Sequence, residues 1–85
     1  MMMKTKFLKI NNINDMKDFV QAASASVDGL DIYAKKGRTI VPCTSLMGMF
    51  TIDAASGFIC EYPEPTTPCT KAFEKFISQF EVPEG

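Results

Sequence analysis

The clearest periodicity lies near the C-terminus. Cys69, Ala72, Phe73, Phe76, Ile77 and Phe80 recur at i, i+3, i+4, i+7, i+8 and i+11, one apolar stripe at the helical period. Thr67 followed by Pro68 supplies an N-cap and a first-turn proline, and Val82-Pro83 stops the element. A second helical stripe runs through Met16, Phe19, Val20, Ala23 and Val27. Asn12 stands before it as N-cap, Asp15 suits the positive end of the helix, and Asp28-Gly29 closes it.

Between the helices the period changes to two. Leu30, Ile32 and Ala34 alternate with Asp31, Tyr33 and Lys35, as in a half-buried strand. Lys36-Gly37-Arg38 makes the turn of a hairpin whose second strand runs from Thr39 to Cys43. Pro42 cannot donate a ladder hydrogen bond, which places that strand at an edge or near its own end. Residues 5–10, TKFLKI, predict a first strand, although the adjacent Phe7 and Leu8 break strict alternation. Phe58 to Tyr62 predicts a last one, with Ala54 to Gly57 as loop before it.

The segment CTSLMGMFTI, residues 43–52, predicts a short helix from about Leu46 to Thr51, with Ser45 as N-cap and Thr44 as its competitor. Its apolar residues outnumber what one short helical stripe can bury, because neighbouring positions diverge by about 100°. Some of Leu46, Met47, Met49, Phe50 and Ile52 therefore face water or a partner. Methionine adapts to varied partner surfaces. The expectation is Met47 exposed and Phe50 in the core.

The resulting order is β-α-β-β-α-β-α, an α+β fold. Three amphipathic helices share the apolar face of a four-stranded antiparallel sheet and leave its other face to water. At 85 residues the chain makes one domain with a thin core, with residues 1–3 and 82–85 expected as loose ends.

Charge removes several functions. Nine basic and ten acidic residues give a net charge of −1, and Arg38 is the one arginine. This balance gives no electrostatic attraction to nucleic acid or to an anionic membrane. The start, MMMKTKFLKI, holds no long apolar run of the kind a signal peptide or membrane span needs. Cys43, Cys60 and Cys69 lack C-x-x-C spacing, and the chain has no histidine, so no metal site is expected and the thiols read as reduced. Lys35, Lys36 and Arg38 read as a solvated turn. No catalytic constellation and no cofactor site emerges: there is no histidine, no carboxylate pair at useful spacing and no glycine-rich phosphate loop.

The element order, with a serine beginning a short second helix, resembles the HPr family of the bacterial sugar phosphotransferase system. The resemblance extends from about Lys4 to Phe80. Its most specific part is Ser45-Leu46-Met47-Gly48-Met49, similar to the serine-isoleucine-methionine-glycine segment of Gram-positive HPr and of catabolite repression HPr. Gly37 and Gly57 also sit where that family has glycines.

The resemblance implies an HPr-like open-faced β-sandwich, a cytoplasmic protein and no enzymatic activity of its own. It implies regulatory phosphorylation at Ser45 by an HPr kinase. It further implies a docking patch of Leu46, Met47 and Met49 for phosphotransferase-system or transcription-regulator proteins. The chain departs from the family at one decisive place. HPr carries its phosphoryl group on a histidine within Gly-x-His-x-Arg-Pro, and here that region reads NNINDMKDF. A phosphohistidine relay needs an imidazole nucleophile, so the expected role is regulation of sugar transport and catabolite repression by contact, not phosphate carriage. A plain interaction module without phosphorylation stands as the alternative.

Overall fold

The computed structural model describes residues 2–26 and 32–83. Strand β1 spans Met3–Leu8, helix α1 Ile13–Ala25, strands β2 and β3 Tyr33–Lys36 and Thr39–Pro42, helix α2 Leu46–Met49, strand β4 Phe58–Pro63 and helix α3 Pro68–Ile77. Short 3-10 turns cover Ala54–Ser56 and Ser78–Phe80. The four strands form one sheet in the order β1-β4-β2-β3, antiparallel throughout. The fold class and element order read from the hydrophobic pattern are those of the structure.

The expected caps are present. Asn12 Oδ1 accepts the Asp15 N–H at 2.8 Å, and its Nδ2 donates to the Asp15 carboxylate at 2.8 Å. Thr67 and Thr70 form a reciprocal capping box around Pro68, and this use of its hydroxyl lets Thr70 be buried within α3. Val27, Asp28, Gly29, Leu30 and Asp31, expected to end the first helix and open the second strand, lie outside the described residues.

The core lies between the helices and one face of the sheet. Leu8, Ile32, Ala34, Phe58, Cys60 and Tyr62 are buried on the sheet side, and Met16, Phe19, Ala23, Met49, Phe73 and Ile77 on the helix side. Phe19 meets Phe58 edge-on at 5.8 Å between ring centroids and Phe73 at 6.1 Å, and Tyr62 meets Phe73 at 6.1 Å. These rings join α1 and α3 to β4, two of the three pairs in the edge-to-face geometry that aromatic quadrupoles favour.

Three expectations need correction here. Phe76, at the centre of the predicted C-terminal stripe, is only partly buried, as an edge-on partner of Phe80 at 5.6 Å. The buried line of α3 runs instead through Thr70, Phe73 and Ile77, while Cys69 is exposed. The first strand ends at Leu8, two residues before its expected end, because the chain there pairs with the C-terminal segment. Lys9 N–H donates to the Phe80 carbonyl, and Val82 N–H to the Phe7 carbonyl, both at 3.0 Å. Val82 is thereby fastened and Met3 belongs to β1, so neither is a loose end.

The awkward Phe7-Leu8 pair has a physical resolution. The β1–β4 register sets Leu8 opposite Phe58 on the core face and Phe7 opposite Ile59 on the open face. The Phe7 ring lies over Gly57, where an added Cβ would come within 2.4 Å of its Cζ. Lys4 and Lys6 then fall on the helix-facing side of this edge strand. They reach Glu74 on α3 at 2.9 Å and Glu81 at 3.2 Å, so their charges stay at the rim.

Candidate functional site

Ser45 is in extended backbone just before α2, and its Oγ accepts the Gly48 N–H at 3.1 Å. Its carbonyl accepts the Met49 N–H at 3.0 Å, and its own N–H donates to the Pro42 carbonyl at 3.1 Å. The serine, rather than Thr44, is therefore the cap, tied to the end of β3. The helix lasts only four residues, and the Gly48 carbonyl then accepts both the Thr51 N–H at 3.0 Å and the Thr51 hydroxyl at 2.6 Å.

Gly48 lets this short helix lie close to the sheet. A Cβ there would stand 3.2 Å from Ser45 Oγ and 3.3 Å from Val41 Cβ. The close approach sends Met49 fully into the core, with Leu46 packed partly against it. Met47 points the other way and is 78% exposed. Phe50 is 48% exposed, contrary to its expected core place. The inward position is filled by Met49 and, beyond the end of the helix, by Ile52, so Phe50 is left beside the start of α1.

Of the docking residues expected from the sequence, Met47 is on the surface and Leu46 is half-buried. Met49 has no exposed surface and cannot meet a partner in the folded state, which removes it from the patch. Phe50 is the neighbour exposed instead. Ile13, 54% exposed in the first turn of α1, joins it across an open groove of about 210 Å³ lined also by Ile10, Asn12, Met16 and Asp53. Ile13 sits on the flank of the α1 stripe, where periodicity alone does not separate core from rim.

The basic turn is more engaged than a free solvated loop. Lys35 pairs with Glu61 at 2.9 Å. Lys36 donates to the Asp53 carbonyl at 2.9 Å, contacts Ser56 Oγ and lies 3.5 Å from the Asp53 carboxylate. These bonds fasten the hairpin to the turn before β4, where Asp53 adopts a left-handed backbone with φ 50°.

Cys43 and Cys60 are buried together in the core, and the Cys43 thiol is pushed far up by the adjacent Cys60 thiol and by burial. It stays protonated, which suits packing and not nucleophilic chemistry. Among the described residues, no three histidine, cysteine or carboxylate side chains come together as a metal cage, and no helix is long and apolar enough to cross a membrane.

No protein-family model, curated protein or solved structure matches this chain.

Proposed function

We propose that this chain is a non-catalytic, HPr-like regulatory protein that acts by protein–protein contact through the surface of α2, with Ser45 as its point of phosphorylation. The observation that carries the reading is the pairing of a capping serine with exposed apolar side chains, Met47 and Phe50, on the same short element. Solitary exposed apolar residues are ordinary, but Phe50 and Ile13 border one groove, and the exposed, flexible Met47 thioether lies on the same short element as Phe50. A phosphate on Ser45 Oγ would stand at the first turn of α2, where backbone N–H groups lack intrahelical acceptors. It would also place about two negative charges next to Leu46 and Met47, changing which surfaces can dock. The HPr resemblance supplies the partner class: an HPr kinase, and phosphotransferase-system or transcription-regulator proteins of a bacterial cytoplasm.

Incubation with a bacterial HPr kinase and ATP, followed by intact mass measurement, tests the regulatory half. The expected result is one added phosphate, lost in Ser45→Ala. An unchanged mass reduces the reading to an interaction module without phosphorylation. Titration against a transcription regulator of catabolite repression tests the contact half. Met47→Ala and Phe50→Ala are expected to weaken binding of the phosphorylated protein several-fold while Lys71→Ala, on α3, leaves it unchanged. Equal affinity for all of them removes α2 as the docking surface.

A further inference from the structure

We draw no further inference here: the strongest candidate, the apolar groove of about 330 Å³ between the end of α1 and the start of α3, walled by Ala22, Ala25, Ala72 and Phe76 with Cys69 at its rim, carries nothing because nothing in the structure shows what covers it.

Discussion

Gly57→Ala probes a contact on which the end of the sheet depends. Gly57 has φ 108° and ψ 147°, a region in which a side chain costs about 1–3 kcal/mol. The new methyl would also lie 2.4 Å from Phe7 Cζ and 2.9 Å from Cε2, far inside contact distance, so the ring must swing away. Losing its packing on the open face adds on the order of 1 kcal/mol. The sum, about 2–4 kcal/mol, is a large share of the stability of a domain this size. By the usual scaling it lowers Tm by about 10–25 °C. A double-mutant cycle separates the two parts. In a Phe7→Ala background the steric part disappears, so Gly57→Ala should cost about 1 kcal/mol less there than in the parent. Urea denaturation of the four proteins, read by far-UV circular dichroism, supplies the cycle. A parent-like midpoint for Gly57→Ala would refute the backbone argument. Identical costs in both backgrounds would show that the ring and the glycine are not coupled.

The two methionines of α2 should separate sharply. Met49→Ala is expected to cost about 2–5 kcal/mol and Met47→Ala less than about 0.5 kcal/mol in thermal melts, and similar losses for both would mean the helix is rotated from its position here. Ser45→Ala should lose about 1 kcal/mol with the cap, whereas Ser45→Asp keeps an acceptor and adds a favourable charge, so an alanine variant melting above both others would remove Ser45 from the helix start. The Glu74 carboxyl is held below its ordinary value by hydrogen bonds from Lys4 and Tyr62. A depressed carboxylate stabilises above its unfolded value of about 4.3 and loses that contribution as pH falls through the folded value. The gap between the parent and Glu74→Gln in urea midpoint should therefore narrow steadily on acidification, and a constant gap would contradict the pairing. Phosphoenolpyruvate and the general phosphotransferase enzyme are expected to leave the protein unlabelled, and acid-labile phosphate on any residue would contradict this.

The sequence was most informative where period and cap agreed. Thr67-Pro68 with the phenylalanine stripe, and Asn12 with Met16, Phe19 and Ala23, place two helices and most of the helix side of the core, because a cap fixes the start and the period fixes the facing side. Periodicity failed where an element was too short to average over. Four residues of α2 cannot distinguish Met49 from Phe50 as the inward residue. Ile52, which follows the helix, and the approach of Gly48 to Val41 decide it, and neither is a local property. Position 76 failed for a different reason. Helical spacing ranks it with Phe73 and Ile77, but the groove between α1 and α3 is left open on its side. The lysines of β1 gave no warning of their direction, since Glu74 and Glu81 are about seventy residues away in the chain.

The start of α1 bears most directly on the choice between phosphate carriage and contact. In the HPr family the transferring histidine stands at the start of the first helix. Here Asn12 and Asp15 occupy that stretch, and their side chains bond each other and the helix backbone. A carboxylate so engaged is a poor candidate for an acyl phosphate, which would forfeit its bond from Asn12 Nδ2. One residue from the cap, Ile13 opens onto the groove that Phe50 borders. The same end of the molecule thus combines a helix cap whose Asn12 and Asp15 side chains are engaged with each other and apolar surface shared between two elements. Transfer chemistry needs a nucleophile with a free lone pair and an open approach. Docking needs apolar area that the fold itself does not consume, and Ile13, Met47 and Phe50 supply it. That asymmetry is what the proposed contact reading rests on at this end of the molecule, independently of whether Ser45 is phosphorylated.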